Sequence, residues 1–184
     1  MAWTAPSTWV AGAILTAAQL NQQLRDNTLS GSAAACRVVR TTNLTGYTSG
    51  SAITWESVSA SGGYQTQSTM WVVGDPTKIT VPVAGMYLVT MRAYLTCTAT
   101  LTAAIAAMAK NADPAVTTTA LATSAANSTV ASFTSFSTVI SLAASDYLKF
   151  SVVPSGGSAY VINGAATETF SQSSVTVTWL GQIT

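Results

Sequence analysis

KITVPVAGMYLVTMRAYLTC, residues 78–97, is the stretch that decides the fold. A short strand breaks at Pro82, turns through Ala84 and Gly85, and re-emerges as a long alternating segment over 86–97. One side of that segment reads Tyr87, Val89, Met91, Ala93, Leu95, Cys97, and the other Met86, Leu88, Thr90, Arg92, Tyr94, Thr96. Strand side chains alternate between faces, so the pattern gives one apolar and one mixed face, as in a sheet covered on one side. The mixed face holds too much Met, Leu and Tyr to meet water alone. Met86, Leu88, Arg92 and Tyr94 are therefore expected to be covered by another copy or segment.

Outward from this segment, every periodic signal after Cys36 is strand-like. The alternation predicts strands over 36–42, 52–57, 70–73, 78–81, 101–110, 115–122, 130–142, 147–153, 159–163 and 174–183, with the alanines of 101–110 also compatible with a helix. Turn residues separate them: Asn43 with Gly46, Ser61-Gly62-Gly63, Gly74-Asp75-Pro76, Asn111 to Pro114, Ala144-Ser145-Asp146, Ser155-Gly156-Gly157 and Asn163-Gly164. Many short strands at regular breaks predict an all-β sandwich or jelly roll and exclude a βαβ fold.

Residues 1–29 differ in character. Trp3, Pro6 and Trp9 stand in an irregular arm, followed by a short amphipathic helix with Thr16 as N-cap, Gln19 completing a capping box and Leu15 stapling onto Leu20. Leu20 and Leu24 share one face. A helix this short is marginal alone, so Trp3, Trp9, Leu15, Leu20 and Leu24 are expected to anchor the chain on its own domain or on a partner particle. Residues 30–35, SGSAAA, read as a linker, leaving 36–184 as the sandwich domain.

At 184 residues the chain suits one domain with an appendage. Charged residues make up 7% of it, against roughly 25% in an ordinary soluble protein. Ser, Thr, Asn and Gln take their place. The scattered cations give no electrostatic footprint for nucleic acid or anionic lipid. The longest apolar run, 103–109, is far short of a spanning helix. MAWTAPSTW lacks a basic and then apolar leader, so synthesis and assembly in a cytoplasm are the expectation.

Chemistry has few groups to work with. The chain has no histidine, which removes Ser-His-Asp and Cys-His constellations and His-ligated metals. Its six carboxylates, Asp26, Glu56, Asp75, Asp113, Asp146 and Glu168, are dispersed in sequence, and Asp75, Asp113 and Asp146 sit in turns. Catalytic, cofactor and metal sites are expected to be absent. Cys36 and Cys97 are read as buried free thiols. Trp55, Tyr87, Phe133, Phe150 and Trp179 are read as core aromatics.

The order of these pieces resembles the jelly roll of the tumour necrosis factor and complement globular-head superfamily, in versions that decorate bacteriophage virions. The matching stations are CRVVRTT (36–42), ITWES (53–57), KITVPVAGMYLV (78–89), AKNADP (109–114), SLAASDYLKFSV (141–152) and SVTVTWLGQI (174–183). Ala112 and Ser145 stand where that family more often has Gly. The arm, with Trp9, Gly12, Leu15-Thr16-Ala17, Leu20-Asn21 and Leu24 to Asn27, is similar to the start of many phage head and tail appendage proteins. The resemblance implies a TNF-like jelly roll, a homotrimer, and a non-enzymatic structural protein on the virion surface, assembled in the host bacterial cytoplasm. Its partner would be the major capsid protein or another virion protein, with no nucleic acid and no membrane. Alternatives are a tail-fibre or tail-tip module that binds a host surface receptor or glycan, and a glycan-cleaving enzyme. The loops 57–69 and 123–129 are Ser/Ala/Gly-rich, with Tyr64 their single aromatic, and so favour a stabilising cap over a receptor tip.

Overall fold

The computed structural model describes residues 16, 34–58, 62–67, 69–114, 120–125, 131–164 and 172–181. The arm residues Trp3, Trp9, Leu15, Leu20 and Leu24, and the helix expected there, lie outside the described residues. The chain divides into two units, Met1–Ala33 and Ala34–Thr184. The second unit begins its first strand at Ala35, inside the stretch read as a linker.

Its strands are β1 (Ala35–Val39), β2 (Leu44–Tyr47), β3 (Tyr64–Gln65), β4 (Lys78–Thr80), β5 (Gly85–Thr96), β6 (Leu101–Lys110), β7 (Ala120–Ala125), β8 (Ala131–Leu142), β9 (Tyr147–Gly156), β10 (Tyr160–Ile162) and β11 (Ser174–Gly181). They form two antiparallel sheets. One runs β2-β10-β5-β11-β1-β3 with β8 also on β5, and the other runs β4-β9-β6-β7. β8 pairs with the whole length of β5, from Gly85↔Leu142 to Thr96↔Ala131. The opposite edge of β5 is shared by β11, over Met86 to Arg92, and β10, at Leu95 and Thr96.

The alternation of 86–97 is realised residue by residue: β5 is buried and half-buried in turn along its twelve residues. Tyr87, Val89, Met91, Ala93 and Leu95 point inward with Val175 and Val177 of β11, Cys36 and Val38 of β1, and Phe136 and Leu142 of β8. Across the core stand Leu148, Phe150 and Val152 of β9, Leu101, Ala104, Ala106 and Met108 of β6, and Ile79 of β4. Phe150 links the layers, meeting Trp55 edge-on (centroids 6.4 Å, 76°) and lying near-parallel to Phe136 (6.4 Å, 22°). Burying each such side chain stabilises the domain by about 1.5–3 kcal/mol.

Residues 101–110 are a strand along their whole length. Two expected strands are not. Ile53 and Trp55 are fully buried, yet their amides donate singly to Phe150 and Pro76 carbonyls, and among 52–57 only Ser57 makes a β-bridge, to Val39. Met70 and Trp71 are likewise core residues on a turn. In 52–57 the apolar alternation reflects burial without a ladder, and in 70–73 the apolar run is split, with Met70 and Trp71 buried and Val72 and Val73 exposed. Conversely, the stretch from Asn43 to Gly46, expected as a turn, holds most of strand β2, where Gly46 has a φ of 65° and the β2–β10 register is irregular.

Candidate assembly face

The outward side of β5 presents Met86, Leu88, Arg92 and Tyr94, all half-buried, on the face turned away from the core. Register places β8 residues directly beside them: Met86↔Ser141, Leu88↔Val139, Thr90↔Ser137, Arg92↔Ser135 and Tyr94↔Phe133. On the other edge, β11 sets Thr178 beside Leu88, Thr176 beside Thr90 and Ser174 beside Arg92. Directly opposed residues in an antiparallel pair have their Cβ atoms roughly 4.5–5.5 Å apart, so these side chains are neighbours on one face.

Two apolar patches result, separated by a belt of hydroxyls. Leu88 and Val139 form the first, with Met86 alongside and Leu180 near the β-bulge that ends β11. Tyr94 and Phe133 form the second, their rings 4.5 Å apart and tilted by 31°, with the Arg92 guanidinium 5.3 Å from the Phe133 centroid. Thr90, Ser135, Ser137, Ser174 and Thr176 make the belt. Phe133, Val139 and Leu180 are 45%, 51% and 55% exposed, a large apolar exposure for a strand surface.

Phe133 therefore does not pack in the core as expected. The strand itself carries the reason: Phe136, Ile140 and Leu142 are even-numbered and point inward, so Phe133 and Val139, at odd positions, must point outward. That parity was the signal available for finding both. Trp55, Tyr87 and Phe150 are core residues, and Trp179 packs against the core's edge while its Nε1 donates to the Ala84 carbonyl.

Arg92 apart, charge lies elsewhere. Lys78–Asp75 (2.6 Å), Lys110–Asp146 (2.7 Å) and Lys149–Asp113 (2.5 Å) pair in and beside the loops that flank β4, β6 and β9, and Lys78 and Lys149 both approach the Tyr147 ring. Asp146 also accepts from Asn111 Nδ2 (2.6 Å) and the Ala143 amide (2.7 Å). The Lys110 ammonium, with these two donors, holds its carboxyl down at about 2. Among the described residues no three His, Cys, Asp or Glu side chains gather as metal ligands. Cys36 and Cys97 are buried and free, and burial pushes the Cys36 thiol up to about 12, leaving it protonated and inert.

No family model matches the chain. No curated protein matches it in sequence. Among solved structures it is similar to that of Eiger TNF from S. frugiperda, with a TM-score of 0.57 at 13% identity, over 83% of this chain and 95% of that one. At that identity the likeness concerns the fold alone: the described residues of the second unit form an all-β sandwich of the TNF-like jelly-roll type.

Proposed function

We propose that this chain is a non-enzymatic structural protein of a bacteriophage virion, a trimeric jelly-roll knob that decorates and stabilises the capsid surface through its N-terminal arm. The observation that carries the assembly reading is the two-patch face of β5 and β8, where Phe133 and Val139 stand about half exposed in an isolated subunit. A second and third copy would cover Leu88 with Val139 and Tyr94 with Phe133, while the hydroxyl belt between the patches hydrogen-bonds across the seam and Arg92 stays over the Phe133 ring. Three copies is the number that the tumour necrosis factor resemblance implies. The virion assignment rests on the arm, whose Trp3, Trp9, Leu20 and Leu24 supply an apolar anchor in the pattern of phage appendage proteins. The low charge and absence of histidine fit a structural role.

Analytical ultracentrifugation at micromolar concentration tests the assembly, with about three chain masses expected and a clean monomer refuting it. Protein lacking residues 1–29, mixed with undecorated particles, tests the anchor: it should stay trimeric and fail to bind. Copy number per virion then separates head decoration, at hundreds of copies, from a fibre or tip, at a few to tens.

A further inference from the structure

Where β10 leaves the sheet, Asn163 is followed by Gly164, the pairing in which a side-chain amide is most open to attack by the next backbone nitrogen, since glycine has no Cβ to obstruct it. We propose that Asn163 is a latent deamidation site, held unreactive in the folded chain by hydrogen bonds on both reacting groups and guarded by Asn43. In the reaction, the Gly164 nitrogen gives its proton to base and attacks Asn163 Cγ. The new C–N bond closes a succinimide as the Cγ–Nδ2 bond breaks and ammonia leaves with a proton. Water then opens the ring at either carbonyl to aspartate or isoaspartate.

Both partners are pinned. The Gly164 N–H donates to Asn43 Oδ1 at 3.0 Å, so the nucleophile is capped until that bond breaks. Asn163 Nδ2 donates to Thr96 Oγ1 (3.0 Å) and lies 3.4 Å from the carbonyls of Tyr94 and Val161, so the amide is tied to β5 and to its own strand and must break these bonds to turn toward the nitrogen that follows it. The backbone is held as well, Asn163 N donating to Tyr94 O (2.8 Å) and Ser173 N to Asn163 O (3.2 Å). The fold keeps this reactive pair because it uses both members. A Cβ on Gly164 would collide with the backbone of Thr42, and Asn163 ties β10 to β5. The weak point is β2, a short strand at the end of its sheet with an irregular register to β10. Asn43 immediately precedes it, so fraying of β2 uncaps Gly164. The product would set a carboxylate against the Tyr94 carbonyl in place of a donor, loosening the same junction.

The test is peptide mapping with isoaspartate detection after incubating the full-length protein at mildly alkaline pH, folded and in urea. Asn163 should convert in urea and at least roughly tenfold more slowly when folded. Asn43→Ala should raise the folded rate while thermal unfolding stays cooperative, and Thr96→Val should do the same if Asn43→Ala does not fold. Equal rates folded and in urea, no conversion in urea, or an unchanged folded rate in a folded variant would each overturn the proposal. None of these readouts depends on oligomer formation, so the assembly reading stands or falls separately.

Discussion

Arg40 is a buried cation, and Glu56 makes its burial tolerable. The guanidinium donates to Glu56 Oε1 (2.7 Å), to Thr42 O through Nε (3.1 Å) and to the Thr54 carbonyl. Glu56 in turn accepts from the amides of Thr41 (2.7 Å) and Thr42 (2.8 Å) and from both threonine hydroxyls. Partial burial alone would raise the Glu56 carboxyl, but the Thr42 and Thr41 donors outweigh it and hold the group below its ordinary value. Glu56→Gln leaves Arg40 buried without a counter-charge. Because the Glu56 side chain keeps 25% exposure, the expected loss is about 2–3 kcal/mol, under the figure for a wholly buried pair, read from urea unfolding. Asp146→Ala, which frees the Ala143 amide and Asn111, should cost about 0.5–2 kcal/mol in the same assay. Both carboxyls titrate lower in the folded chain than in the unfolded one. Their stabilisation is therefore complete above the ordinary carboxylate range near about 4 and is lost as pH falls through the folded values, down to about 2 for Asp146. The melting temperature should hold steady from neutrality to about pH 5 and decline below, and Glu56→Gln should flatten that decline.

At the scale of elements, the start of β5 and the end of β11 are fitted around a missing side chain. Gly85 has φ 152°, and a Cβ there would run into the Gly181 carbonyl and Trp179 Nε1. Trp179 cannot yield freely, since its Nε1 donates to Ala84 O and its amide to Ala34 O (2.8 Å). Gly85→Ala should cost about 3 kcal/mol or more, combining backbone strain with overpacking. Gly46 separates the two contributions: its φ is 65°, but a Cβ meets nothing within 4 Å. Gly46→Ala should then cost only about 1 kcal/mol, the backbone part alone. Equal losses in the two variants, measured by denaturant unfolding, would show that the contact with Trp179 is unimportant.

For the whole molecule, the question is what covers the outward face. If three copies meet there, a charge at the centre of either patch should block association without harming the subunit, because Val139 and Phe133 are exposed in the single chain. Val139→Lys and Phe133→Lys should shift native mass spectra from trimer to monomer, while subunit unfolding moves within about 1 kcal/mol for Val139→Lys and by about 1–2 kcal/mol for Phe133→Lys, which also loses the Tyr94 ring contact. Lysine at Ser137, in the hydroxyl belt, should weaken the trimer less than either. A trimer that survives both patch substitutions would place the interface on another face.

The amino-acid sequence by itself determined the all-β class and the length and facing of β5, because a two-residue period ties hydrophobicity directly to a sheet face; on β8, where Phe133 and Phe136 sit at opposite parities, the aromatic residues alone misassign Phe133 to the core. It also carried the turn at Asp146, where local chain geometry and a short carboxylate suffice. It could not show that Ile53 and Trp55 reach the core without joining a ladder, since alternation reports burial and not the destination of backbone hydrogen bonds. Nor could it bring Glu56 to Arg40, Asn43 to Gly164 or Phe133 to Tyr94, pairs separated by 16, 121 and 39 residues. Those meetings depend on which strands lie side by side, and that order is settled only when both sheets close on a common core.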